Sequence, residues 1–248
     1  MIERESSDGI LTLRLAHGKA NALDQELCEA IRRELDGAAA ADDVRAVILT
    51  GKGSIFSAGV DLVRLSQGGA IYAAPFVTAL EALIRTEFLF PKPLVAAANG
   101  HAIAGGAIMV FAADARLMSG GHIGVAEMLV GVPFPPIALE VVRFAIPQPH
   151  LQLMVYQGRT VDPELAHAIG IIDRVVVQQG LPSAAHALAT HLAAIPPDVF
   201  RMTKLQIRAP FVRNADTITT GDVRAAWTAP ETHERIRAYV EKTFGKKN

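Results

Sequence analysis

Apolar positions along this chain switch between two periods. Over residues 10–15 they alternate, with Leu11, Leu13 and Leu15 on one face and Thr12 and Arg14 on the other, which predicts a half-buried strand. After a loop over 16–21 the period lengthens. Leu27, Ile31 and Leu35 recur every four residues behind Asp24, a candidate N-cap, and predict a helix ending near Gly37. Residues 44–50 form an almost unbroken apolar run stopped by Gly51-Lys52-Gly53, the signature of a strand buried on both faces.

The same order returns further on. A strand is predicted over 94–98, a helix over 105–113 and a strand over 115–119, and later a strand over 171–177 after a helix starting near Asp162-Pro163. Alternation of this kind predicts an α/β fold with parallel strands joined by crossover helices. The Ile195-Pro196-Pro197 break stops the helix predicted over 184–194. Everything beyond it reads as helix, over 198–208 and 231–244 in particular. The expected division is therefore a core over 1–195 and a helical segment over 196–248. Residues between Val63 and Phe90 carry no interpretable motif.

Composition narrows the class. The chain has 248 residues, 50% hydrophobic and 20% charged, enough for one well-buried domain. Net charge is -1 and the longest basic run is the Lys246-Lys247 tail, so no nucleic-acid partner is expected. Cys28 stands alone, which excludes an intramolecular disulfide and a cysteine-based zinc cluster; its neighbours Leu27 and Ile31 mark it as helix packing. Acidic residues at the N-terminus and the absence of a Ser-Lys-Leu ending give the expectation of a cytoplasmic protein. The apolar stretch over 94–118 has the length of a membrane span. Asp114 and Arg116 within it would each cost about 3 kcal/mol in lipid, so a buried strand, loop and helix is expected there instead, and no membrane partner.

Several familiar site patterns fail on inspection. Gly51-Lys52-Gly53 lacks the third glycine and the following helix of a dinucleotide loop, and Ser57 lacks the glycine two residues before it that a nucleophile elbow needs. The histidines show no zinc spacing, and His101 and His122 are expected to be structural. Two segments remain. Phe56-Ser57-Ala58-Gly59-Val60-Asp61-Leu62 follows a strand and a glycine turn; the second, from Pro91 through Asn99-Gly100-His101-Ala102-Ile103-Ala104-Gly105-Gly106, opens an apolar helix at a glycine pair. Small residues there let a ligand approach the backbone, and the helix start offers free N–H groups.

In order and separation, the pair resembles the two signature segments of the enoyl-CoA hydratase/isomerase (crotonase) family, across roughly residues 10–180. The resemblance implies a crotonase-like ββα spiral core with a C-terminal helical segment, and an acyl-CoA thioester as substrate. It implies that the N–H groups of Val60 and Gly105 bind the thioester oxygen. Coenzyme A, present as part of the substrate, is expected along Ala20 and Ala22 and along Ala58, Val60, Asp61 and Leu62. No metal or redox cofactor is required. Two preorganised donors would stabilise the enolate formed when a proton leaves the neighbouring carbon.

Hydratases of the family carry two glutamates; here the first position is Ile108 and the second is Glu127. Apolar neighbours Val125, Ala126, Met128 and Leu129 are expected to raise the Glu127 pKa toward that of a usable base. Adding water needs two proton-handling groups, whereas moving a double bond needs one. The resemblance therefore points to a Δ3-Δ2 enoyl-CoA isomerase, with a hydratase or a silent acyl-CoA-binding protein as alternatives. A Clp-type protease is excluded because Gly106, not serine, follows Gly105. A trimer or dimer of trimers is implied, and the apolar Val199, Phe200, Met202, Leu205 and Ile207 call for a partner surface. Such packing could bring Phe244 toward a neighbouring site.

Overall fold

The computed structural model describes residues 1–218 and 220–245; the side chains of Thr220 and Phe244 are not described, so the expectation concerning Phe244 lies outside the described residues. The chain opens with strand β1 (Ile2–Ser7), strand β2 (Ile10–Leu15) and helix α1 (Gln25–Ala40). Three units of strand, strand and helix follow. They are β3 (Ala46–Gly51), β4 (Ile55–Ser57) and α2 (Leu62–Phe88); β5 (Leu94–Ala98), β6 (His101–Ile103) and α3 (Gly105–Ala112); and β7 (Ala115–Met118), β8 (Ile123–Gly124) and α4 (Glu127–Val130).

In each unit the first strand joins one sheet and the second joins another. The larger sheet runs β1-β2-β3-β5-β7-β10 and the smaller β4-β6-β8-β9, with α5 (Pro136–Ala145), α6 (Gln148–Gln157), β9 (Thr160–Val161), α7 (Pro163–Ala168) and β10 (Arg174–Val175) completing them. All pairs are parallel except β1 with β2 and β8 with β9. This is the expected ββα spiral.

Burial explains the order. Leu11, Leu13 and Leu15 of β2 face the main core together with Leu27, Ile31 and Leu35 of α1. On the opposite face Ile10, Ala46, Ile48 and Val95 pack under α8 (Leu181–Ala193) through Leu181, Ala185 and Ala189, so β3 and β5 are covered on both sides. Asp24 caps α1 as expected, accepting from Leu27 N at 2.8 Å.

Four expectations need correction. Strand β1 was not expected, because on this edge strand every residue after Ile2 is exposed, on both faces, and leaves no alternating pattern. Helix α1 runs past Gly37 to Ala40. The strand expected over 171–177 shrinks to Arg174–Val175. The uninterpreted stretch after Val63 is the long α2, bent at Gly69, whose φ of 58° and ψ of -156° break the helical period.

Beyond Pro196 come α9 (Pro197–Thr217), α10 (Thr220–Thr228) and α11 (Pro230–Phe244). Ala215, Trp227 and Ile236 join the main core. Lys204 and Arg208 of α9 close on Asp114 at 2.7 and 2.8 Å. Arg208 also donates to the carbonyls of Phe88, Ala112 and Ala113, which end α2 and α3. No helix among the described residues is long and apolar enough to cross a membrane.

Candidate active site

The site begins where two loops lie side by side. Ala58 N donates to Ala20 O, Leu23 N to Gly59 O and Asp61 N to Leu23 O, all within 3.0 Å. Asn21, at φ 47°, reaches back to the carbonyls of Ile55 and Phe56, and Ser57 Oγ donates to Asn21 O at 2.8 Å. In the resulting parallel bridge Leu23 bonds to the residues on either side of Val60, so the Val60 N–H points to the opposite edge. Asp61 then caps α2, accepting from Arg64 N at 2.9 Å.

The second turn meets the first backbone to backbone. A Cβ on Gly59 would lie 2.5 Å from Ile103 O and 3.2 Å from Gly105 N, and Gly59 has φ of 79°. Ala104, at φ 51°, turns the chain so that Gly105 becomes the first residue of α3. Among the described residues neither the Val60 nor the Gly105 N–H has a protein acceptor. Both border one cavity, and the positive end of α3 opens there.

That cavity measures about 380 Å³. Ala20, Ala22, Ala58, Asp61 and Leu62 line it with Val60 and Gly105, so the structure brings together every residue that the sequence marked for coenzyme A. Glu127 and Ile108 line it as well. Among the further lining residues, four that no sequence motif marked are Leu80 and Ile84 of α2, Trp227 of α10 and Tyr239 of α11. The first two follow a bent helix, and the other two return from more than 90 residues beyond Glu127. His101 and His122 stack on each other at 5.6 Å and do not line the cavity.

Glu127 is the first residue of the single-turn α4, 7% exposed, with Oε2 buried and without a protein partner. Burial pushes its carboxyl up to about 7, against the pull of the backbone amides of Glu127 and Ala126. The other acidic residue on the cavity wall is Asp61, which is half-buried and occupied with capping α2. The fully buried Glu87 is not part of the wall. A buried carboxylate poised near neutrality beside two unpaired amides can move a proton next to a polarised carbonyl.

A spiral of ββα units thus carries two unpaired N–H groups and a buried carboxyl on the wall of one cavity. A sequence profile of the enoyl-CoA hydratase/isomerase family matches residues 5–246, and the chain belongs to that family, whose members are enzymes acting on acyl-CoA thioesters. Among its relatives, a putative enoyl-CoA hydratase of Thermus thermophilus is 32% identical over 231 residues, 90% of this chain and 91% of that protein. The mitochondrial enoyl-CoA delta isomerase 1 of Rattus norvegicus is 25% identical over 254 residues, 100% of this chain and 88% of that protein. Human mitochondrial delta3-delta2-enoyl-CoA isomerase superposes with a TM-score of 0.93 over 100% of this chain and 99% of that one, at 23% identity. The fold is therefore that of the crotonases.

Proposed function

We propose that this enzyme shifts the double bond of an enoyl-CoA from position 3 to position 2. The N–H groups of Val60 and Gly105 hold the thioester oxygen, the Glu127 carboxylate takes a proton from C2, and the resulting dienolate receives that proton back at C4. Atoms balance within the substrate, so the reaction needs no metal or redox cofactor, and coenzyme A enters only as part of the substrate.

The observation that carries this reading is Ile108. It is 2% exposed and lines the cavity, at the position where the family resemblance places the first of a hydratase's two glutamates. An apolar side chain there neither holds nor activates water. The test sets double-bond migration in 3-enoyl-CoA beside water addition to 2-enoyl-CoA. Migration is expected to dominate, and Ile108→Glu is expected to raise hydration while lowering stability by a few kcal/mol through the buried charge. Hydration by the unaltered enzyme at the higher rate would refute the isomerase reading.

Assembly is part of the proposal. Val199, Met202, Leu205 and Ile207 of α9 are exposed, while Phe200, expected to be exposed with them, is partly buried beside the Lys204 ammonium. A trimer or dimer of trimers would cover the four. Light scattering is expected to give three or six times the chain mass, and a monomer with full activity would overturn it.

A further inference from the structure

The cavity has a wet end and a dry end. Ala58 and Val63 are exposed and Ala20, Ala22, Asp61 and Leu62 half-buried, which marks the mouth. Past the two amides and Glu127 the wall becomes Leu80, Ile84, Ala138 and Trp227, all at most 3% exposed. Trp227 is among the residues that line this hydrocarbon end.

We infer that Trp227 is the specificity-determining residue that ends the acyl pocket, so that binding of unsubstituted acyl chains stops improving once the chain reaches the indole. The inference rests on the proposed function only for which end of the cavity receives the thioester.

Trp227 is fixed on three sides. Its Nε1 donates to Pro133 O at 2.9 Å, its ring leans on Phe76 with centroids 6.3 Å apart, and it is 1% exposed in the main core. Swinging the indole aside for a longer chain would strand both the buried donor and the carbonyl. Pro133 also follows Val132, which lines the same cavity, so the hydrogen bond ties α10 to the segment leading away from Glu127. The indole donor is already used, and the other three deep residues carry no polar atom in their side chains. A carboxylate lodged among Leu80, Ile84 and Ala138 would therefore lose its water without a charged partner on the cavity wall.

Binding of saturated acyl-CoAs, which cannot isomerise, tests this on the full-length protein. From butanoyl- to decanoyl-CoA the affinity is expected to rise about fourfold per methylene. Hexadecanoyl-CoA should then bind no tighter than decanoyl-CoA. Trp227→Ala is expected to tighten hexadecanoyl-CoA at least about tenfold by opening the end. Ala138→Leu, which fills the same end without removing a core aromatic, should move the break to shorter chains. A terminal carboxylate on the decanoyl chain should weaken binding at least about tenfold. A steady rise through sixteen carbons, a break unmoved by Ala138→Leu, or equal binding of the carboxylated chain would overturn the inference. A length break without any double-bond migration would instead overturn the isomerase reading and leave the pocket assignment standing.

Discussion

Glu127→Gln is expected to lower turnover of 3-enoyl-CoA by about 10²–10⁴ while leaving the affinity for a saturated acyl-CoA nearly unchanged. The amide keeps the shape of the carboxyl and removes its ability to take a proton. In the proposed mechanism the active form is the carboxylate, so kcat/KM should climb with pH through about 7 and level off above it. The same shift has a stability signature of definite sign. Folding holds this proton more tightly than the unfolded chain does, since the ordinary value is 4.5 and the folded one about 7. The stabilisation is complete below the ordinary value and is lost as the pH rises through the interval between the two. Between pH 4 and pH 8 the glutamine variant should therefore gain about 3 kcal/mol relative to the unaltered protein. Chemical denaturation at the two pH values measures this. Retained turnover would remove Glu127 from the mechanism, and a pH-independent difference would show that its carboxyl is not buried as described.

Gly59→Ala is the second large effect, with kcat/KM falling at least about 10²-fold. Its new Cβ would lie 2.5 Å from Ile103 O and 3.2 Å from Gly105 N, against backbone that has nowhere to move. Both amide donors would shift, and the positive φ of 79° adds strain of about 1–2 kcal/mol. Gly53 supplies the control, for it has the same φ of 79° but nothing within 4 Å of an added Cβ. Gly53→Ala should therefore cost the strain alone and leave turnover intact. Steady-state kinetics and thermal melts of the two variants isolate the close approach; equal activity in both would mean that the turns do not need to touch.

Legibility from the sequence followed burial asymmetry. Strand β2 and helix α1 each turn one side to the core, so Leu11, Leu13, Leu15 and Leu27, Ile31, Leu35 print that geometry into the chain. Asp24 and the glycine pair at Gly105 mark helix starts because chain ends need partners or free space. Elements without such asymmetry stayed hidden. The acidic β1 is solvated on nearly every residue, and α2 loses its period at Gly69. That Ala58, Val60, Gly105 and Glu127 border one cavity was legible because they lie in the short segments that carry the family resemblance, two of them turns constrained by close backbone approach. Trp227 and Tyr239 could not, since nothing local about a helical tryptophan or tyrosine states which distant wall it will complete.

The unpaired N–H groups of Val60 and Gly105 belong to the main chain, so no side-chain exchange short of proline deletes them. Alanine substitution reaches these two groups only by displacing the backbone, as at Gly59. Residues such as Ile108 and Ala138 are then free to vary around a fixed pair of donors. New chemistry and new substrates can arise here by changing the side chains around the two amides, without rebuilding the amides themselves.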